Sequence, residues 1–243
     1  MGPLININAF AIPTEIFRRR EDLFHFLEKY LTPFSLEGKI IAITSKIVSL
    51  AEDRVVSRSK FSKKELVEKE ADHYLCPGGF GCEITIKHGI LIPSSGIDES
   101  NSESGDYILY PEKPYESAQA IWRFLKENFN LTCVGVIITD SHSTPLRRGV
   151  TGISLAHWGL RPTKSLVGKP DLFQKNLKFT HVNVVDSLAS LAVFTMGEAN
   201  EGSPLALISG AQVEFTETSS EQEIRIEPEN DIYAPLLLPY LKR

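Results

Sequence analysis

An α+β (mixed α/β) fold is predicted for the 243-residue chain by three observations. Segments with helical apolar spacing alternate with short β-branched runs, a hairpin-like pair interrupts the alternation, and no repeat or low-complexity tract intervenes. The length suits one unit over residues 1–243, with room for two intertwined α+β subdomains.

The elements follow in order. Residues 14–31 read as the first helix: Thr14 is a candidate cap, and Ile16, Phe17, Leu23, Phe24, Leu27, Tyr30 and Leu31 share one face. Arg18-Arg19-Arg20 then reads as a solvated face of that helix. Gly38 precedes a β-branched strand over residues 39–44, and residues 45–52 continue from it. Ser62 and Glu65 make the S-x-x-E pattern of a capping box, so a second helix is expected over residues 63–75. Residues 76–81, rich in glycine, read as a loop. A hairpin follows over residues 82–93, turning at His88-Gly89. Ala118, Ile121, Trp122, Leu125 and Phe129 give a helix over residues 115–129. Cys133 to Thr139, CVGVIIT, is a nearly all-apolar run of the kind that makes a buried strand. Residues 182–196 form another helix, with Val185, Ala189, Ala192, Val193 and Met196 inward. A last strand spans residues 204–209, and the acidic stretch 214–223 is an exposed loop.

Composition excludes several classes. A formal charge of −5 argues against a nucleic-acid binder, which needs a basic face. No run approaches the ~18 apolar residues of a membrane helix. The N-terminal MGPLININAFAIP lacks the basic region, apolar run and cleavage site of a signal peptide, so a cytoplasmic protein is expected. Three cysteines, Cys76, Cys82 and Cys133, are too few and odd in number for a disulfide framework, and the spacing of the first two is not that of zinc ligands.

Three polar clusters each follow an apolar stretch: Gly96-Ile97-Asp98-Glu99-Ser100-Asn101, residues 139–149 (TDSHSTPLRRG), and Met196-Gly197-Glu198. A carboxylate and a hydroxyl at the end of a buried strand, Asp140 and Ser141, suit a hard divalent cation, and Arg147 close by suits phosphate. Each cluster also has a plain structural reading. Asp-Ser after a strand serves as a turn or cap, Gly-Ile-Asp-Glu-Ser-Asn as a solvated loop, and Met-Gly-Glu as a helix end with a left-handed glycine. Three in one chain favour a site, since sites gather where element ends converge. His142 is a candidate base or phosphate contact beside the proposed ligands, with an exposed loop position as the alternative. Asp186, on an apolar helix, needs a partner, either a site group or a backbone N–H. His157, Trp158 and Gly159 read as core.

In this order the motifs resemble the coenzyme F420-0:L-glutamate ligase (F420-0:gamma-glutamyl ligase) family. Matching stretches, spread over residues 39–210, are Ser45-Lys46-Ile47-Val48-Ser49-x-Ala51-Glu52-x-Arg54, Gly96-Ile97-Asp98-x-Ser100-Asn101, Leu109-x-Pro111 and Ser117-Ala118. The Asp140 cluster with Pro145, Arg147 and Gly149 follows, then Asp171, Thr180, Asp186-x-Leu188-Ala189 and Met196-Gly197-Glu198. The resemblance implies a homodimer with mixed sheets and flanking helices that joins L-glutamate to an acceptor carboxylate through a nucleotide-derived acyl phosphate. It implies GTP (or ATP) as co-substrate and a divalent metal, Mg or Mn. Carried over by motif, the metal positions are Asp98, Asp140, Ser141 and Glu198. Nucleotide contacts are Ser45, Lys46, Asn101 and the 196–203 segment, including Met196, Gly197 and Glu198. Asp140, Arg147 and His142 carry the chemistry, with Lys46 and Arg147 holding phosphate or substrate carboxylates.

The chain departs from the family pattern in three places. Ile12-Pro13-Thr14-Glu15 stands where a Pro-Gly-Asp turn is common, Leu50 where a basic residue is frequent, and Ser143-Thr144-Pro145-Leu146-Arg147 where Gly-Arg-Pro-Trp-Arg is usual. Loss of that arginine resembles a branch that extends folate (tetrahydrofolate) instead of coenzyme F420-0. Two other classes remain open: a non-catalytic metal- or nucleotide-binding homologue, and a metal-dependent phosphohydrolase.

Overall fold

The buried run Ile40–Ile43 contributes Ile41 and Ile43 to one core and Ile40 and Ala42 to another, the period-2 signature of a strand covered on both faces. The computed structural model describes residues 6–102 and 105–241; residues 1–5 of the N-terminal stretch weighed above as a leader lie outside them. The chain opens with β1 (Asn8–Ile12), α1 (Leu23–Leu31), β2 (Lys39–Thr44), α2 (Ser45–Ala51) and β3 (Val55–Val56). It continues with α3 (Lys63–Glu70), β4 (His73–Pro77), β5 (Glu83–Lys87), β6 (Ile90–Pro93), β7 (Tyr107–Ile108) and α4 (Pro114–Asn128). Next come β8 (Val134–Ser143), β9 (Val150–Trp158), β10 (Thr163–Ser165) and β11 (His181–Asn183). Last are α5 (Val184–Met196), β12 (Leu205–Ser209) and α6 (Ala234–Leu241).

The fold is mixed α/β, as expected. A five-stranded sheet runs in the order β1-β12-β2-β8-β9. Only β2 and β8 pair in parallel, from Lys39↔Val134 to Thr44↔Thr139. Helices α1 and α4 cover one face through Leu27, Leu31, Ile121 and Leu125. Helix α5 covers the other through Val185, Ala189, Ala192 and Val193. This contact is close: a Cβ at Gly152 of β9 would lie 2.4 Å from the Ala189 carbonyl oxygen, so only glycine lets helix and strand meet there. The three-stranded sheet β4-β5-β6 and the short pair β3-β7 form a smaller layer, with Leu66, Val67, Ile97, Tyr107 and Leu109 beneath.

The capping box at Ser62–Glu65 forms, and the β5–β6 hairpin turns at His88-Gly89. Four expectations are corrected. The first helix begins at Leu23, not near Thr14, because Asp22 is the cap and accepts from the Phe24 and His25 backbone N–H groups. Helix α3 stops at Glu70, since Ala71 is extended and the following residues pair with β5. The strand expected over residues 133–139 runs on to Ser143, because β9, absent from the sequence reading, pairs with it along that extension. Helix α5 starts at Val184 under the Asn183 side-chain cap, after a short strand.

His157 on β9 is fully buried, its Nδ1 3.1 Å from the Tyr115 hydroxyl and its Nε2 without a partner among the described residues. Burial pushes its pKa down to about 4 against the ordinary 6.5, with the Glu223 charge opposing weakly. The unfolded chain therefore takes up this proton first as pH falls, and stability drains away between pH 6.5 and 4. Urea unfolding across that window should show the wild type losing roughly 3 kcal/mol relative to His157→Gln, in which nothing titrates at this position. Parallel curves for the two proteins would contradict the buried neutral imidazole.

Candidate active site

The parallel register of β2 and β8 sets the site. Thr44 lies beside Thr139, so the residues that follow, Ser45-Lys46 opening α2 and Asp140-Ser141 continuing β8 along β9, start side by side. The Thr139 hydroxyl donates to the Ile43 carbonyl at 3.3 Å, and the Thr44 N–H to Pro204 at 3.0 Å, which ties in the segment after α5.

Asp98 arrives from the hairpin layer. Ser94, Ser95 and Gly96 follow β6 with φ of 50, 54 and 68°, an unusual run of left-handed residues. The Ser95 N–H donates to Thr85 Oγ1 at 2.8 Å and its hydroxyl to the Val67 carbonyl at 3.2 Å, so the turn is held from both sides. Beyond it, Asp98 exchanges two 2.9 Å backbone hydrogen bonds with Ile108. Glu198 follows Gly197, where α5 ends as the helix-end reading of Met-Gly-Glu expected, although at φ 85° and ψ 171° the glycine is extended with positive φ and not left-handed helical. The Asn101 amide reaches the Ala199 carbonyl at 3.4 Å and joins the two loops.

These residues line one cavity of about 1250 Å³. Ser45, Lys46, Asp98, Asn101, Asp140, Ser141, His142 and the whole 196–203 segment face it. Arg147 is not among the described residues lining it; it sits in the exposed β8–β9 turn with Thr144 and Leu146. His142 is half-buried, and its Nδ1 lies 3.2 Å from the Thr151 carbonyl across the hairpin. Asp186 accepts the Ser154 backbone N–H at 2.9 Å, the backbone alternative foreseen for it.

Lys46 Nζ lies 2.6 Å from Asp98, whose other oxygen accepts from the Ser100 N–H at 2.6 Å and hydroxyl at 2.8 Å. Burial would raise the Asp98 pKa, but Lys46 and Ser100 outweigh it and hold the carboxyl below its ordinary value. Asp140 behaves oppositely. Burial pushes it up to about 6, with the Asp98 charge adding to the rise and the Tyr110 hydroxyl, Ser141 N–H and Lys46 resisting. Glu198 is also raised, chiefly by burial, with the Ser141 hydroxyl opposing. Above pH 6 Asp140 thus holds its charge where the surroundings disfavour it, an electrostatic demand that a cation would meet. Three carboxylates and a hydroxyl are the oxygen donors a hard divalent ion takes, so the residues fit Mg or Mn by chemistry. Among the described residues, no three of the His, Cys, Asp and Glu side chains are gathered closely enough to hold a metal by themselves. Asp98 is engaged by Lys46, and Asp140 by Tyr110.

Tyr110 escaped the sequence reading. Its hydroxyl donates to Asp140, and its ring, 4% exposed, lies against Gly96, where a Cβ would sit 2.1 Å from the ring carbon Cζ. The available signal was its place as the unassigned residue of Leu109-x-Pro111; nothing local tells that it reaches across 30 residues to a carboxylate.

A three-layer mixed α/β protein with one large acid-lined cavity at the ends of its parallel strands is the class this geometry defines. Residues 65–210 match the family model described as F420-0:Gamma-glutamyl ligase. The chain is 33% identical over 242 residues to the coenzyme F420:L-glutamate ligase of Methanocaldococcus jannaschii, covering 92% of this chain and 96% of that one. It is 32% identical to the protein of that name from Methanopyrus kandleri (81% and 86% covered) and 31% to that from Archaeoglobus fulgidus (81% and 84%). The chain belongs to the F420-0:gamma-glutamyl ligase family. Among its described residues, no helix is long and apolar enough to cross a membrane.

Tyr110→Phe removes the phenol that lowers the Asp140 pKa, so in metal-free protein the Asp140 carboxyl should titrate above the wild-type value of about 6. Carbon-detected NMR of the carboxyl group reads this directly. At pH 8, with Asp140 charged, the lost hydrogen bond should cost about 1.5–3 kcal/mol of stability. An unshifted titration would show that the hydroxyl does not bear on Asp140.

Proposed function

We propose that this protein is a γ-glutamyl ligase that joins the amino group of L-glutamate to an acceptor carboxylate activated as an acyl phosphate by GTP or ATP. The observation that carries the proposal is the convergence of Lys46, Asp98, Asp140 and Glu198 on one cavity. Its volume of about 1250 Å³ exceeds the ~300–1000 Å³ usual for one small ligand and suits three co-substrates better than the single ester of a phosphohydrolase. Asp98, Asp140, Glu198 and Ser141 would hold Mg or Mn, which when bound supplies positive charge against the phosphates.

The chain's own groups do the rest. Lys46, half-buried beside Asp98, offers a fixed ammonium to phosphate or carboxylate oxygens. A carboxylate is a poor electrophile; conversion to an acyl phosphate gives it a leaving group, and water must be kept from that ester until glutamate attacks. His142, with Nδ1 turned to Thr151, leaves Nε2 to take the proton released from the glutamate ammonium.

For the acceptor, the names of the relatives support coenzyme F420-0. The folate-type alternative rested on Thr144 and Leu146, and that turn stands outside the described cavity lining, so its changed residues weigh little on acceptor choice. The proposal includes a homodimer, for which exposed Leu172, Phe173, Phe179 and Phe194 offer apolar surface.

Purified protein supplied with Mg or Mn, GTP or ATP, L-glutamate and either coenzyme F420-0 or tetrahydrofolate tests the activity and the acceptor together. Mass spectrometry should find one added glutamyl residue per phosphate released, only in complete mixtures, and preferentially on F420-0. Nucleotide hydrolysis that ignores glutamate would identify a phosphohydrolase, and inertness a binding protein; glutamylation of folate alone would reverse the acceptor assignment.

Asp140→Asn keeps the size of the side chain and removes its charge. Ligation should fall by more than about 100-fold, beyond the 10–100-fold typical of residues that merely support a metal ligand. The fold should remain, since an amide also accepts from Tyr110. Near-normal metal-dependent turnover in the folded variant would exclude Asp140 from the cation site.

A further inference from the structure

Arg18 and Arg19 belong to a segment that the sequence places on the solvated face of a helix, yet no helix forms there. Residues 13–22 instead form an irregular strap that turns at Arg19-Arg20, and its residues 14–19 line the cavity. The strap is pinned along its length. The Thr14 N–H donates to the Gly202 carbonyl at 2.9 Å, the Glu15 N–H to the Tyr30 hydroxyl at 2.8 Å, and the Arg20 N–H to the Leu50 carbonyl at 2.9 Å. Phe17 is buried, edge-on to Phe26 at 4.9 Å between ring centroids.

Arg18 and Arg19 both line the cavity, whereas Arg20 does not. Arg19 binds Asp53 through Nε, so its terminal nitrogens, which carry four of the five guanidinium N–H groups, lie outside that bond. Arg20 holds the second Asp53 oxygen at 2.5 Å, and together they fix Asp53 in a left-handed conformation at φ 61°. Asp53 thus orients Arg19 without covering the face of its fork. Leu50, in the last turn of α2, lies beside the strap, and Lys46 lies one turn earlier on the same helix, roughly 6 Å along its axis. Lys46 thus reaches the cavity from the first turn of α2, and Arg18 and Arg19 from the segment pinned to its last turn.

We propose that Arg18 and Arg19 form an oxyanion-binding subsite, taking a carboxylate or phosphate of a substrate at the strap side of the cavity. Guanidinium forks match both groups in two-point geometry. The assignment fills the role that the sequence gave to Arg147, which stands outside the described lining. It rests on the ligase reading only for which substrate brings the oxyanion.

Calorimetric titration of the whole protein tests this, with GTP, tripolyphosphate, L-glutamate, coenzyme F420-0 and tetrahydrofolate as probes. Arg18→Gln/Arg19→Gln should bind at least one probe about tenfold or more weakly, ~1.4 kcal/mol per decade. Lys64→Gln, which removes an exposed cation of α3 outside the cavity, should bind like the wild type. Weakening confined to GTP and tripolyphosphate assigns a phosphate; weakening confined to glutamate or an acceptor assigns a carboxylate. Arg19→Lys, which keeps a cation and loses the fork, should weaken the same probe by an intermediate amount and serves where the double variant does not fold. Affinities within twofold of wild type for every probe, an equal loss in Lys64→Gln, or no probe bound by the wild type would overturn the subsite. Wild-type protein that binds a probe through these arginines but forms no glutamyl amide would overturn the ligase reading and leave the subsite standing.

Discussion

The parallel pairing of β2 with β8 is the constraint on which the rest of the structure depends. It is the one parallel contact of the central sheet, and its last rung, Thr44↔Thr139, fixes where Ser45-Lys46 and Asp140-Ser141 emerge. A slip of one residue in β8 would exchange Val136 and Ile138 with Ile137 between the two apolar layers and point Asp140 away from the cavity. The two apolar layers that enforce the register therefore also aim the carboxylate. Fold stability and site geometry are here the same quantity.

Charge within the cavity is kept apart by neutral groups. Lys46 is closer to Asp98 than to Asp140, so the ammonium depresses one carboxyl and leaves the other raised. Tyr110 gives Asp140 a hydrogen bond without a countercharge, and its own ionisation is pushed far out of reach by burial and by the Asp140 charge. Gly96 makes room for that ring. A lysine in the place of Tyr110 would neutralise Asp140 and remove its appetite for an external cation; a phenol aligns the carboxylate and preserves it.

Much of this was legible in the sequence wherever a local rule sufficed. The all-apolar run before Asp140, the Ser62–Glu65 box and the His88-Gly89 turn each declare an element without reference to the rest of the chain. The strap was misread for a reason of the same kind: Ile16, Phe17 and the residues from Leu23 onward keep helical spacing across a break. Phe17 is apolar because it packs on Phe26, and Asp22, the true cap, sits in mid-pattern. Strand β9 was missed because Gly152 and the polar residues around it answer to α5 and Asp186, not to a period. Tyr110 and the cavity-facing arginines were invisible for the deeper reason that their partners lie far off in sequence.

The same non-locality marks the site as a whole. Lys46 comes from α2, Asp98 from the turn after the hairpin, Asp140 from β8, Glu198 from the end of α5, and the arginines from the strap before α1. No two of these elements are consecutive along the chain, so no single element holds the cavity in order. Loop-closure entropy for each must be met by the shared core before any of the charges can be brought together. The charges then add little to stability and some oppose it, as the raised Asp140 and Glu198 do. A site assembled this way is held open by packing that lies elsewhere: α5 seated on Gly152, Tyr110 on Gly96, Phe17 on Phe26. Those contacts keep like charges at fixed separations against their own tendency to disperse, which is the arrangement a charged substrate needs to find ready-made.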